Sequence, residues 1–280
     1  MRALLVLFAV LRLAQQLAEH VLAAMNRRYA QDRARLAEAG RALQIGEGEM
    51  EKATAYASDR YRFVPEVVQM RRDEIQARIG DRLQVATGCD FHLSYENVVD
   101  ARANPCKYTV NQKQYLLVEF ANFSLPPSLD DTLHQLQLHG MQPIITHPER
   151  NGLLRGNPKR LEEWVRRGCA VQVTAVSLLG RFGEAAQFWA EAWLDQDLVH
   201  FIASDAHNTS SRPPQLRQAY EVVAKRRGEE VARALFHDNP LAAFEGRALP
   251  YMPEPREATT RKPPRRRKKF WFFGWFVLGS

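Results

Sequence analysis

Residues 143–150 read Pro143-Ile-Ile-Thr-His-Pro-Glu-Arg150, a short apolar run that ends abruptly in a histidine, a proline, a glutamate and an arginine. A β-branched run of this length, stopped by a proline, predicts a buried strand. The same pattern recurs on both sides of it. Upstream, Tyr115-Leu-Leu-Val ends in Glu119, and a strand expected over 83–87 leads into Gly88-Cys-Asp-Phe-His92. Downstream, another strand is expected over 170–174, and Val199-His-Phe-Ile-Ala203 runs into Ser204-Asp-Ala-His-Asn208. Helical patterns lie near 129–139, 158–167 and 184–196, with others near 66–79 and 214–226. Such alternation predicts an α/β fold with a parallel sheet, because parallel neighbours need a crossover connection.

The strand ends carry the chemistry. They deliver Asp90, Glu119, His147 and the pair Asp205 and His207. In a barrel of parallel strands the carboxyl ends open on one rim, where active sites sit. Carboxylates and imidazoles converging there could hold Mn²⁺, Fe²⁺ or Zn²⁺, and a set without thiolate leans towards Mn²⁺ or Fe²⁺. Asp205-x-His207 is the strongest element, since both side chains leave one loop. His92 is a weaker candidate. His20, His134, His139, His200 and His237 fall in helical or mid-strand contexts and read as structural. Arg150 and Arg212 flank the expected rim, where a guanidinium grips phosphate through two parallel hydrogen bonds.

Several other chemistries are excluded. The three cysteines, Cys89, Cys106 and Cys169, show no C-x-x-C spacing, which fits a reducing compartment rather than a disulfide scaffold. Six positions beyond them stand Tyr95, Gln112 and Ala175, so none has the arginine that a cysteine phosphatase loop requires. The phosphate-binding G-x-x-x-x-G-K-[ST] loop and the G-x-S-x-G nucleophile elbow are also missing.

The charge is unevenly spread. The 280 residues hold 39 Lys and Arg against 32 Asp and Glu, a net +7. Seven of the cations, Arg261 to Lys269, lie in the last twenty residues, which contain no acid. The rest of the chain is neutral, so a nucleic-acid partner loses its support. Six aromatics follow the basic run within residues 270–276. Cations followed by aromatic rings suit an anionic membrane surface over residues 261–278. At the other end, residues 3–11 are apolar but too few to span a bilayer. An amphipathic helix is expected over most of 3–43, with an uncleaved membrane anchor as the alternative.

The stretches Gly88-Cys-Asp-Phe-His-Leu93, Tyr115-Leu-Leu-Val-Glu-Phe120, Thr146-His-Pro-Glu-Arg150, Gln172-Val-Thr-Ala-Val-Ser-Leu-Leu-Gly-Arg-Phe-Gly183 and Ser204-Asp-Ala-His-Asn208 carry a resemblance. From about residue 61 to 250 the chain resembles the bacterial tyrosine phosphatases of the polymerase-and-histidinol-phosphatase (PHP) superfamily. These are metal-dependent enzymes encoded with capsule and exopolysaccharide genes. The resemblance implies a distorted (β/α)7 PHP-type barrel with up to three metal ions, commonly Mn²⁺, at its rim. It implies hydrolysis of phosphotyrosine on the tail of an autophosphorylated bacterial tyrosine kinase. Asp90, Glu119, His147, Asp205 and His207 fall on family ligand positions, although Asp90 stands where Glu is frequent. Arg150, Arg212 and His207 are the implied catalytic set, the arginines on positions that hold the substrate phosphate.

The sequence also departs from the family pattern. No His-x-His pair occurs in residues 1–60, and Tyr56 stands where the family has a ligand histidine. A phenol is a poor ligand at neutral pH. The alternative to an active phosphatase is therefore a catalytically impaired PHP-fold protein that binds the kinase or its phosphorylated tail. The expected organisation is a helical segment over 1–45, a barrel over 46–250 with its first strand lost or replaced by helix, and a disordered linker with the basic-aromatic tail over 251–280. The expected location is the cytoplasm, peripheral on the inner membrane face.

Overall fold

The computed structural model describes residues 65–256, apart from 121–124, 126, 127, 209 and 211. The expected N-terminal helix, Tyr56 and the basic-aromatic tail lie outside the described residues. Five strands form one sheet: β1 (Asp90–His92), β2 (Tyr115–Glu119), β3 (Gln142–Thr146), β4 (Ala170–Thr174) and β5 (Phe201–Ala203). They are ordered β1-β2-β3-β4-β5, and every neighbouring pair is parallel. The α/β class and the parallel sheet are thus present.

Side chains alternate between the two faces of the sheet, with a period of two. Leu116, Val118, Ile145, Val171, Val173 and Ile202 belong to the larger core, beneath the helices. Tyr115, Ile144, Ala170 and Phe201 form a smaller cluster on the opposite, inner face with Ala243. The outer layer includes α1 (Leu129–Leu138), α2 (Pro158–Arg166) and α3 (Glu184–Asp195). In α1 the buried residues Leu129, Leu133 and Leu136 recur at the i, i+4, i+7 spacing of a helix stripe. α2 buries Leu161, Trp164 and Val165, and the Trp164 indole N–H donates to the Asp130 carboxylate at 2.5 Å. Trp193 of α3 is fully buried in the same core.

One strand is displaced from its expected place. Residues 83–87 join no ladder, and pairing begins only at Asp90. The reason is local. Gln76, in the preceding helix Pro65–Ile79, donates to the Leu83 carbonyl at 2.8 Å and accepts from the Val85 N–H at 2.9 Å. A side chain thereby takes the backbone groups that a neighbouring strand would have used. Among the described residues, no helix is long and apolar enough to cross a membrane. The chain leaves the described region fastened: the Arg256 N–H donates to the Gln196 carbonyl at 2.9 Å and its guanidinium pairs with Asp197.

Candidate metal centre

The register of β1 against β2 builds the first half of the site. Asp90 lies opposite Leu117 and His92 opposite Glu119, so all three polar residues project from the inner face, as Leu117 does. Glu119 closes β2 between two imidazoles: its Oε1 lies 3.3 Å from His147 Nε2 and its Oε2 lies 3.5 Å from His92 Nε2. Burial first, then the Glu119 carboxylate, hold the Asp90 carboxyl above its ordinary range; Asp205 adds to the rise while His147 and His92 oppose it. Three carboxylates crowded in this way create a local demand for positive charge.

The turn after β3 supplies the second half. His147 adopts a left-handed backbone at φ 35°, and Asp205, beyond β5, does the same at φ 47°. Non-glycine residues rarely hold this conformation, and where they do the surrounding structure fixes them, commonly at functional sites. Here the His147 N–H donates to the Gln172 carbonyl at 2.8 Å. Glu149 is wholly buried and accepts from the Thr174 N–H at 3.1 Å and the Ser177 hydroxyl at 2.6 Å. Its carboxyl pins the 148–150 turn to the end of β4. Burial pushes its pKa up to about 7, against the lowering effect of those hydrogen bonds. Burial, followed by the Arg150 charge, pushes His147 below the ordinary imidazole range, so it stands neutral with a lone pair to offer.

Arg150 and Arg212 both reach one oxygen of Asp205, Oδ2. The loop after β5 folds back to allow this: the Arg212 carbonyl accepts from the His207 N–H at 3.0 Å, and Asn208 Oδ1 accepts from the Arg212 N–H at 2.9 Å. His207 stands at the edge, with 55% of its side chain exposed. Its Nδ1 lies 3.0 Å from the Asp205 carbonyl oxygen. A carbonyl can only accept, so Nδ1 carries a proton and Nε2 is the ring nitrogen left for a metal, the arrangement found in metal-ligating histidines.

All seven residues singled out in the sequence therefore lie around one rim: Asp90, Glu119, His147 and Asp205 inward, Arg150 and Arg212 on Asp205, and His207 at the edge. Among the described residues, no three His, Cys, Asp or Glu side chains form a closed ligand group for a metal ion. Asp205 gives its outer oxygen to the two guanidiniums, and His207 faces outward. The donor set itself, carboxylate oxygens and imidazoles, fits a hard or borderline divalent ion. Cys89, next to Asp90, adds no thiolate: burial and then the Asp90 charge push it up to about 11. Three contributors had a weak sequence signal or none. His92 carried no sign of its partner Glu119, Glu149 gave no hint of burial, and Phe182 stood within a glycine-framed loop without an evident role.

Comparison with known proteins gives a consistent result. A family model described as "Capsular polysaccharide synthesis, CpsB/CapC" matches residues 50–245. Tyrosine-protein phosphatase CpsB of Streptococcus pneumoniae is 35% identical over 172 residues, 60% of this chain and 70% of that protein. Tyrosine-protein phosphatase YwqE of Bacillus subtilis (strain 168) is 31% identical over 216 residues, 76% of this chain and 82% of that protein. A solved structure, from work on YwqE of Bacillus subtilis and CpsB of Streptococcus pneumoniae as "unique metal-dependent tyrosine phosphatases", superposes with a TM-score of 0.64. It is 29% identical and covers 70% of this chain and 79% of its own.

Proposed function

The chain belongs to the CpsB/CapC family of capsular polysaccharide synthesis, and we propose that it is a metal-dependent phosphatase hydrolysing phosphotyrosine on a bacterial tyrosine kinase of a capsule or exopolysaccharide system. The observation that carries this reading is the meeting of acidic and imidazole donors with two arginines at the carboxyl ends of one parallel sheet. Mn²⁺ is the proposed ion, with Fe²⁺ and Zn²⁺ as alternatives. Asp90, Glu119, His147, Asp205 and His207 would hold it. When bound, the ion supplies Lewis acidity at the phosphoryl group. The five strands are read as part of a distorted (β/α)7 barrel.

The remaining chemistry belongs to the chain's own side chains. Arg150 and Arg212 receive the non-bridging phosphoryl oxygens in place of the Asp205 carboxylate, whose charge they now share. Their fixed N–H forks match a dianion, and they neutralise charge that builds on those oxygens during transfer to water. His207, exposed and hydrogen-bonded through Nδ1, would contribute to catalysis as a ligand, offering Nε2 to the ion. No protein nucleophile is required. Cys169, like Cys89, is pushed up, to about 12, chiefly by burial.

A second reading, binding of the phosphorylated kinase tail without turnover, is favoured by two observations. Tyr56 stands at an expected ligand histidine, and no ligand group is already closed among the described residues. An anionic inner membrane surface is the proposed docking place of residues 261–278. Full-length protein with added Mn²⁺ is expected to release phosphate from a phosphotyrosine peptide, and His207→Ala to lower that rate at least ~100-fold. Retention of the peptide with no phosphate release would replace the enzymatic reading with the binding one.

A further inference from the structure

Phe182 lies on the rim loop between the short helix Ala175–Leu178, which follows β4, and α3. Two glycines frame it: Gly180 at φ 75° and Gly183 at φ 87°. A side chain at Gly180 would be strained by that backbone and would meet Gln187 Oε1 at 2.9 Å. The loop closes on itself, with the Arg181 N–H donating to the Val176 carbonyl and the Gly183 N–H to the Gly180 carbonyl, each at 3.0 Å. The phenyl ring is thus presented by backbone geometry, half-buried, at a defined place on the rim.

At that place it meets both guanidinium groups. Arg150 Cζ lies 4.5 Å from the ring centroid and Arg212 Cζ lies 5.6 Å from it. Both are inside the ~6 Å range of cation–π attraction. Glu149 fixes the register between the partners, because its carboxyl joins the turn bearing Arg150 to Thr174 and Ser177, which lead into the Phe182 loop. Arg212 Nε is buried with no hydrogen-bond partner among the described residues.

Two like charges cannot share a site unless something holds them together. Asp205 does so, but a carboxylate uses the same N–H donors that a phosphate needs. An aromatic ring attracts the cations through its face and leaves their N–H edges free. We propose that Phe182 is a positioning residue of the phosphate site, holding Arg150 and Arg212 together for one phosphoryl group without competing for their hydrogen bonds. This rests on the reading of the arginine pair as the phosphate grip, and it deepens that reading.

The test is calorimetric titration of inorganic phosphate into the full-length chain, with and without Mn²⁺, for wild type, Phe182→Leu, Phe182→Met and Phe182→Trp. Thermal melting shows which variants are folded, and the Met variant serves if the Leu variant is not. Loss of the ring is expected to weaken phosphate binding roughly three- to tenfold, and Trp to restore it to within about twofold. Wild-type affinity in a folded Leu or Met variant, or weak binding in a folded Trp variant, would overturn the inference. So would a wild type that binds no phosphate. A wild type that binds phosphate but releases none from a phosphotyrosine peptide removes the enzymatic reading alone and leaves the role of Phe182 intact.

Discussion

Asp205 concentrates the competing demands of the site in one side chain. Its Oδ2 meets Arg150 and Arg212, and its carbonyl oxygen accepts from His207 Nδ1 at 3.0 Å. Asp205→Asn keeps the shape but removes the negative charge that pairs with both arginines and takes away an anionic donor. Phosphotyrosine hydrolysis is expected to fall at least ~100-fold, read as phosphate release under saturating Mn²⁺. A residue outside the site contributes to stability on the acid side. His200 is fully buried, its Nδ1 accepting from the Val171 N–H at 3.2 Å. Burial, against the raising effect of the Leu198 backbone carbonyl, pushes its pKa from 6.5 to about 4. The unfolded chain therefore takes the proton first as pH falls. The stability tied to neutral His200 is intact above about 6.5 and is lost progressively towards pH 4, roughly 2 kcal/mol of it by pH 5. Urea unfolding of wild type and His200→Asn at pH 7 and pH 5 checks this: the variant should lose about 2 kcal/mol less, and equal losses would contradict it.

The elements hold the site by their ends. Asn151 caps the short helix Gly152–Gly156, its Oδ1 accepting from the Leu153 N–H at 2.9 Å and the Leu154 N–H at 3.2 Å, while its amide reaches the Phe120 carbonyl at 3.3 Å. It ties the turn bearing His147 and Arg150 to the end of β2. Asn151→Ala should cost about 1–3 kcal/mol in urea unfolding and raise KM for a phosphotyrosine peptide, whereas an unchanged KM would show that the turn holds without its cap. Element-level order was also what the sequence made most legible. β3 holds a short apolar run, Pro143 to Ile145, closed by Thr146 and His147, and such a strand announces both its type and its end. Residues 83–87 look equally strand-like, but the Gln76 side chain, which no local pattern reveals, takes the Leu83 carbonyl and the Val85 N–H. The ligand candidates were readable because they terminate strands. His92 carries a weaker signal because its partnership with Glu119 depends on the β1–β2 register. The Phe182 contacts join residues about thirty apart in sequence through the tertiary fold, and no local pattern encodes them.

At the scale of the whole molecule, charge separates into a neutral body and a basic end. The body is fastened up to Arg256 by Gln196 and Asp197, and the seven cations and six aromatics follow from residue 261 onward. Ending the chain after Glu257 should leave phosphate release unchanged and weaken binding to anionic vesicles at least ~10-fold, as read by vesicle co-sedimentation. Equal co-sedimentation would remove the membrane role of that segment. The body is proposed to act as a metal-dependent phosphotyrosine hydrolase through the donors gathered at the sheet's carboxyl rim. The most direct test titrates Mn²⁺ into metal-free, full-length protein while following both metal uptake and phosphate release from a phosphotyrosine peptide. Uptake and turnover should rise together in wild type, and both should collapse in Glu119→Gln. Uptake without turnover, or turnover indifferent to Mn²⁺ and to Glu119, would contradict the account.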